Sequence, residues 1–465
     1  MGSLAVDAHY PDASDHALVL THPTAAEKEQ TWRLNHGEWG GPLDLSAYLK
    51  REPFLASTPL TADGGMVHWI LTDASPAQST GPHDKRRVLA SCETIRKRVL
   101  YVPRSGDEVG EGLGYGIGSV YTYPEFRGKK YAARMLRELG VALKTWPEEE
   151  QLQKKRSETR GQDHGATDTS RPGKQPNGQT KLQKAEGKEA VCSALWSDIG
   201  KQFYASKGWP AFASEHVEFP SSSPSPPPGI SSLLEQSARS HKTSLTLTPV
   251  NTSNLAELCA QDEAQLRAEL IHHARETRRT AFAFAPEYDV FRWHWAREEF
   301  LVSHVFSGRQ VSEVRGMIAT VTNSVSTNGV AKADAQGGVR MWAIWTRNYG
   351  VDAAFDASKN TLYILRLVIE GNGNSPPEPG ALQLAFDAIL HSALDAARTW
   401  HCGTVNLWNP TATVRGLITA SGVTHRFVDR EVDSIPSMMW NGPDGAEDEK
   451  EEAVDWIANE KYCWC

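Results

Sequence analysis

The residues whose types and spacing could bind a phosphate lie between Ser119 and Leu136, where the sequence reads SVYTYPEFRGKKYAARML. The segment reads as the end of a strand, turns at Pro124, and then opens a helix, because apolar residues from Tyr131 onward recur at helical spacing. The first backbone N–H groups of a helix lack intrahelical acceptors, and the helix dipole adds partial positive charge there. With three basic side chains beside these amides, the segment predicts a cradle for a diphosphate.

A second motif follows the next predicted strand. Residues 199–209, IGKQFYASKGW, place Phe203 and Tyr204 on a predicted helix that ends at Gly208. A basic turn between a strand and a helix is also common on solvated protein surfaces. The diphosphate interpretation therefore depends on the second motif and on the order of the elements around both.

The elements that must position these motifs alternate between strands and helices. In the first half, short apolar runs predict strands, and a helix begins near Lys130. The strands are predicted at 67–72, 88–92, 115–122 and 190–195, and a second helix at 197–207. The second half repeats the order as strand 361–369, helix 382–400, strand 404–408 and helix 411–419. The sequence thus predicts an α/β fold with a mixed, α+β-like sheet, present in two tandem copies.

The two predicted copies differ in the loop that would meet a phosphate. In the second copy this loop, residues 371–380, reads GNGNSPPEPG and contains no arginine or lysine. We therefore expect the N-terminal copy to bind the cofactor and the C-terminal copy to be degenerate.

Two polar segments interrupt the predicted elements. Residues 147–188 are charged and nearly free of large apolar side chains, and the Ser/Pro run SSSPSPPPG begins at Ser221. The apolar periodicity continues on both sides of the first segment, so we interpret it as a disordered insertion within a domain. The chain then divides into an N-terminal domain 15–219, a linker 220–239 and a C-terminal domain 240–465.

Composition excludes several classes of function. The 465 residues carry a formal net charge of -8 and a pI near 6.1, which give no global attraction to nucleic acid or anionic lipid. The sequence lacks a secretory leader and a membrane-span pattern, so we expect a soluble, cytoplasmic protein without membrane partners. Six cysteines lack paired metal spacing, and sixteen histidines lack an HExxH pattern, so no metal site is predicted.

Together the two motifs resemble the GNAT superfamily of acetyl-CoA-dependent N-acetyltransferases. In that superfamily a strand runs into a loop of pattern Arg/Gln-x-x-Gly-x-Gly/Ala, and a later helix carries Phe-Tyr before a Gly-aromatic pair. Residues 127–132 fit the loop, except that Lys130 replaces the central glycine. Near the chain's ends, TWRLNHGEWGGPLDLSAYLKRE, IPSMMWNG and VDWIANEKYCWC are similar to the fungal lysine N-acetyltransferase family.

This resemblance implies a cosubstrate and an acceptor. The N-terminal GNAT-like domain would bind acetyl-CoA, without a metal. The acceptor would be a small-molecule primary amine, the side-chain amine of free L-lysine, in amino-acid catabolism. The residues carried over as cofactor-binding are Val120, Tyr121, Thr122, Arg127, Gly128, Lys129, Lys130, Tyr131 and Ala132.

The resemblance also implies roles for an acid and a base. Tyr204 would protonate the departing thiolate, although a tyrosine there could equally pack in the core and donate one hydrogen bond. Glu93 is predicted as the catalytic base, because its strand could point it into the site. Asp107, Glu108 and Glu111 are alternatives, and each of the four could instead be a solvated charge. Asp198 is predicted as a helix N-cap or first-turn acid.

Other interpretations stay open at this point. One is a protein or peptide acetyltransferase with an open acceptor groove, and another is a pseudo-acetyltransferase that binds coenzyme A without turnover. A prenylated Cys463-Trp464-Cys465 tail is disfavoured, because the preceding stretch is acidic and no nucleotide-binding GxxxxGK[ST] loop exists. The aromatic stretch 291–300, FRWHWAREEF, could line a substrate pocket or form the buried face of a helix.

Overall fold

Two mixed β-sheets and the helices packed on them make up the computed structural model. It describes residues 10–73, 86–145, 190–222, 243–327, 330–370, 378–444 and 454–464. The helices are α1 (Ala25–Trp39), α2 (Leu45–Ala56), α3 (131–145), α4 (Gln202–Ala205), α5 (Leu255–Thr277), α6 (Tyr288–Val305), α7 (Pro379–Thr399) and α8 (Ala412–Ala420).

Fifteen strands are present among the described residues. They are β1 (Leu18–Thr21), β2 (Met66–Asp73), β3 (Ala90–Val102), β4 (Gly110–Thr122), β5 (Ala190–Ser197), β6 (Glu215–Pro220), β7 (Thr243–Val250), β8 (Thr280–Phe284), β9 (Gly316–Thr327), β10 (Val330–Asn348), β11 (Thr361–Ile369), β12 (Thr404–Trp408), β13 (Arg426–Asp429), β14 (Ile435–Trp440) and β15 (Val454–Trp456).

Each sheet has a parallel pair of strands at its centre, and the first sheet has a second parallel pair, β8 and β15, at its side. The first sheet has the order β1-β2-β3-β4-β5-β14, with β8 on β3 and β15 on β8, and its β4 and β5 are parallel. The second has the order β13-β6-β12-β11-β10-β9-β7, and its β11 and β12 are parallel. A helix separates the two strands of each pair in sequence, α3 in the first and α7 in the second. The predicted α/β fold with two tandem copies is thus confirmed.

The helices cover the sheets through apolar faces that the sequence spacing anticipates. On α3, Tyr131, Met135, Leu136 and Leu139 are fully buried against strands of the first sheet. On α7, a buried face that includes Ala385 and Ile389 packs on β9, β10 and β12. Helix α6 lies between the halves, because it contacts both α2 and β10.

The two halves of the chain exchange strands. Strand β6, which precedes the predicted linker, lies between β12 and β13 of the second sheet. Strand β14, from the second half, pairs with β5 of the first sheet. The predicted insertion at 147–188 and most of the predicted linker at 220–239 lie outside the described residues, so the domain boundaries stay predictions.

One predicted helix is wrong in length. The segment 197–207 contains a single helical turn, α4, because Gly200 has a left-handed φ of +81° and the Ser197 hydroxyl bonds within the turn before it. The interpretation of Asp198 as a helix cap is wrong for the same reason, since its carboxylate instead accepts the backbone N–H of Ser434 at 2.9 Å. The strands predicted at 67–72, 115–122, 361–369 and 404–408 are all present.

Candidate active site

Strands β4 and β5 diverge at the centre of the first sheet. Their parallel pairing runs from Leu113 opposite Ala190 to Ile117 opposite Leu195. Beyond that pair β4 continues to Thr122 alongside β3. Main-chain groups of residues 118–122 on the β5 side are therefore available to a ligand, and Val120, Tyr121 and Thr122 all lie in this part of the strand.

A β-bulge shapes the same part of β4. Ser91 pairs with Tyr121 and Glu93 pairs with Gly118, so two residues of β4 oppose one residue of β3. Ser119, in the bulge, has a left-handed φ of +51°. Bulges increase local twist and redirect side chains, and here the Ser119 hydroxyl donates to the Glu93 carboxylate at 2.8 Å.

The predicted diphosphate loop follows β4 directly. A single 3₁₀ turn, Pro124–Phe126, leads to Arg127, Gly128, Lys129 and Lys130, which are all exposed, and α3 begins at the next residue. Arg127 Nε donates to the Thr122 carbonyl at 3.1 Å, which anchors the loop to the end of the strand. The loop therefore presents three cations beside the first-turn amides of α3, the arrangement that suits a diphosphate.

Lys130 has a left-handed backbone conformation, which glycine adopts without strain. Its φ is +66°, and its carbonyl accepts the N–H of Arg134 at 3.0 Å as the first helical bond of α3. The replacement of glycine by lysine keeps the turn, and it adds a cation at the cost of left-handed strain.

Tyr131 and Ala132 begin α3 and have different surroundings. The Tyr131 side chain is fully buried, and its hydroxyl donates to the Pro11 carbonyl at 2.6 Å. Ala132 is half-buried. The Tyr131 ring thus fixes the helix against the sheet, and its contribution to a ligand would come from the main chain.

Glu93 lies in a small cavity between β3 and α1. Its carboxylate accepts the Ser119 hydroxyl and lies 3.4 Å from His68 Nε2, which is directly across the β2–β3 pairing. Burial raises the pKa of Glu93, and the Ser119 hydrogen bond opposes that effect. Burial also lowers the pKa of His68 to about 4, so its imidazole is neutral at physiological pH.

Helix α1 supplies polar atoms to this cavity that have no hydrogen-bond partner among the described residues. They are Trp32 Nε1 and Asn35 Oδ1. Buried polar groups are normally satisfied, and unsatisfied ones often mark a place that water or a ligand completes. Apolar spacing in the sequence did not single out Trp32, Asn35, His68 or Ser119. A predicted pairing of 66–71 with 90–95 would have placed His68 opposite Glu93.

Tyr204 lies on α4, immediately after β5. Its side chain is 7% exposed, and burial raises the pKa of its hydroxyl, with the nearby Asp198 adding to the effect. The phenol consequently holds its proton at physiological pH. Phe203, beside it, packs edge-on to its ring at 5.1 Å between centroids.

The alternative carboxylates are placed differently from Glu93. Asp107 is exposed and bonds to Arg275 at 2.9 Å. Glu111 forms ion pairs with Arg98 and Arg267. Among the described residues, no group of three or more His, Cys, Asp or Glu side chains is arranged to bind a metal ion. None of the described helices has the length and apolarity needed to cross a bilayer.

The second half of the chain matches a known protein family. A model of the family described as the LYC1 GNAT-like C-terminal domain matches residues 231–465, about half of the chain. The chain belongs to this GNAT family. Membership supports an acyltransferase of the N-acetyltransferase class, as the motifs in the other half of the chain predicted.

Individual relatives of this GNAT protein are distant. No curated protein sequence matches it. Similar solved structures include a GCN5-related N-acetyltransferase from Kribbella flavida, with 12% identity, 90% of this chain and 70% of that chain covered, and a TM-score of 0.42. Another is Saccharomyces cerevisiae N-myristoyltransferase with bound myristoyl-CoA, with 10% identity, 93% and 83% coverage, and a TM-score of 0.40.

The left-handed conformation of Lys130 predicts how the GNAT loop tolerates substitution. Lys130→Gly should keep the stability of the protein, whereas Lys130→Val should lower the free energy of unfolding by about 1–2 kcal/mol relative to Lys130→Gly, because a β-branched residue is strained at positive φ. Urea unfolding measures the difference. The same pair of substitutions at Lys129, whose φ is not positive, should show no preference for glycine. Equal free energies of unfolding for the two Lys130 variants would contradict the left-handed backbone conformation of Lys130.

Proposed function

We propose that this protein transfers the acetyl group of acetyl-CoA to a primary amine, and that the acceptor is the side-chain amine of free L-lysine. The observation that carries the proposal is the position of a carboxylate with a 16% exposed side chain, Glu93, beside the bulge where β4 diverges from β5. The basic loop after β4 and the buried phenol after β5 support the same reading.

The chain's own groups match the needs of acetyl-CoA. The diphosphate would meet the exposed loop cations and the first amides of α3. The pantetheine and acetyl carbonyl would lie along residues 120–122, where main-chain N–H groups can act as preorganised donors to the developing oxyanion. Thr122 Oγ1 is buried there and has no partner among the described residues.

Glu93 and Tyr204 each carry out one of the two proton transfers that the reaction needs. A lysine side-chain amine has a solution pKa near 10.4, so it must lose a proton before its nitrogen attacks the thioester carbon. Glu93 accepts that proton, and neutral His68 Nε2 lies 3.4 Å from its carboxylate. As the C–N bond forms and the C–S bond breaks, Tyr204 donates its proton to the departing thiolate sulfur.

The proposal predicts release of coenzyme A from acetyl-CoA when free L-lysine is added to the purified protein. A thiol-reactive dye measures the release, and mass spectrometry identifies the acetylated nitrogen. Lysine-containing peptides and simple amines serve as comparison acceptors. If coenzyme A were released only with another acceptor, that acceptor would take the place of lysine in the proposal. Binding of acetyl-CoA without turnover of any acceptor in the panel would contradict the proposal.

The role of Glu93 predicts a pH dependence. Activity should fall as the pH drops through the Glu93 pKa, because the base must be deprotonated. Ser119→Ala removes the hydrogen bond that lowers this pKa, so the fall should move to higher pH. Glu93→Gln should lower kcat by about 10²–10⁴-fold. Glu111→Gln, in the ion-pair network with Arg98, is the matched control and should leave kcat unchanged. An unshifted profile in Ser119→Ala would exclude Glu93 as the titrating base.

The role of Tyr204 predicts a loss in the chemical step alone. Tyr204→Phe should lower kcat about 100-fold or more, because the thiolate would leave without a proton donor, while the affinity for acetyl-CoA stays the same. Rapid-quench kinetics and calorimetric titration separate the two quantities. Tyr349→Phe removes another buried hydroxyl, the one that donates to the Trp400 carbonyl, and should affect stability without affecting kcat. A Tyr204→Phe enzyme with normal kcat would assign Tyr204 to core packing.

A further inference from the structure

The part of the chain that carries Tyr204 is contacted at both of its ends by the second half of the protein. This Tyr204 segment comprises residues 197–212 and follows β5. Strand β14 pairs with β5 up to Ile435, which lies opposite Ser197 at the end of β5. The β13–β14 loop, residues 430–434, therefore lies beside the turn that leads into α4.

The β13–β14 loop forms two hydrogen bonds with the beginning of the Tyr204 segment. The Asp198 carboxylate accepts the backbone N–H of Ser434 at 2.9 Å. The Gly200 N–H donates to the Val432 carbonyl at 3.2 Å. Both bonds use the main chain of the loop, so they fix the start of the Tyr204 segment to the second half of the chain.

The β13–β14 loop is itself held by a buried arginine. Arg430 Nε donates to the Ser434 carbonyl at 3.2 Å, and Nη1 donates to the Glu215 carbonyl at 2.9 Å. Arg430 is 7% exposed, and its guanidinium lies 4.0 Å from the centroid of the Trp408 ring. These contacts restrict the conformation of the loop. The N–H group that Asp198 accepts therefore has a defined position.

The other end of the Tyr204 segment packs on β14. Met439 fills the space beside Gly208, where a Cβ would lie 2.6 Å from the Met439 Cε. The next residue, Trp209, is fully buried, and its N–H donates to the Tyr204 carbonyl at 3.0 Å. Two further main-chain hydrogen bonds join the end of the segment to β14. The second half thus holds the chain after Tyr204 as well as before it.

Helix α4 is too short to fix the Tyr204 side chain by itself. It consists of one turn, Gln202–Ala205, and Lys201 at its N-cap makes no side-chain capping bond. Isolated helices of this length are unstable, because nucleation costs more than one turn of hydrogen bonds returns. The position of the phenol therefore depends on the contacts at the two ends of the segment.

We infer that Asp198 and Met439 are positioning residues for Tyr204, and that the second half of the chain belongs to the same catalytic unit as the first. The inference rests on the proposed role of Tyr204 as the acid. Asp198 acts through the turn before α4, and Met439 acts through Gly208 after it. The second half thereby places the proton donor of the reaction without contacting the reacting atoms.

The first test compares two substitutions of Asp198. Asp198→Asn keeps an oxygen that accepts the Ser434 N–H, so kcat should stay within about twofold of wild type. Asp198→Ala removes the acceptor, and kcat should fall about 3- to 10-fold at unchanged KM for acetyl-CoA, the range expected for an exposed hydrogen bond. Asp444→Ala is the matched control, because Asp444 likewise accepts a distant backbone N–H, that of Arg104 at 3.0 Å, outside the Tyr204 segment. It should leave kcat unchanged.

A double-mutant cycle shows whether the effect passes through Tyr204. In the Tyr204→Phe background, Asp198→Ala should cause no further loss of kcat, since no phenolic proton is left to misplace. Met439→Ala removes the packing beside Gly208 and should behave in the same way, whereas Met439→Leu should restore kcat. Equal losses from Asp198→Ala in both backgrounds would overturn the inference.

The outcomes separate the inference from the proposed function. Normal kcat in Asp198→Ala, with kcat impaired in Tyr204→Phe, would overturn the inference and leave acetyl transfer to amines standing. Absence of turnover by the wild-type protein with any acceptor would overturn the proposed function. Hydrogen exchange then decides the inference. The amides of residues 202–209 should exchange faster in Asp198→Ala than in Asp444→Ala, and equal protection in the two variants would overturn the inference.

Discussion

The divergence of β4 from β5 is the constraint on which the rest of the site depends. Parallel pairing stops at Ile117 and Leu195, and a bulge then turns β4 along β3. Because α3 follows β4 and α4 follows β5, the same divergence sets the separation between the basic loop and Tyr204. The bulge also brings Ser119 onto Glu93. One local irregularity in a sheet thereby orients the groups expected to hold the cosubstrate and move protons.

Burial acts on the titratable groups near this opening in a consistent direction. It raises the pKa of Glu93 and of Tyr204 and lowers that of His68, and each of these shifts favours the neutral form. A neutral interior is cheaper to fold, and it strengthens the attraction of any ionised group for an incoming charge of opposite sign.

The sequence predicted the elements whose signals are local and missed the contacts that come from distant segments. Strand 361–369, the basic loop and the start of α3 follow from apolar spacing and turn residues, so they were predictable. The helix at 197–207 was overextended, because a left-handed Gly200 and the Ser197 side chain override helical periodicity. His68 and Ser119 could not be found this way, since strand register and a bulge bring them next to Glu93.

Because the two halves of the chain exchange strands, the order in which the ribosome makes them affects folding. The outer edge of β5 pairs with β14, which the ribosome makes only after most of the second half. Until then the nascent first half exposes the unpaired edge of β5, a strand whose residues are all buried in the folded protein. Unpaired strand edges pair readily with other chains. The basic loop follows β4, which pairs with the other edge of β5. Completion of the first sheet is thus tied to translation of nearly the whole chain.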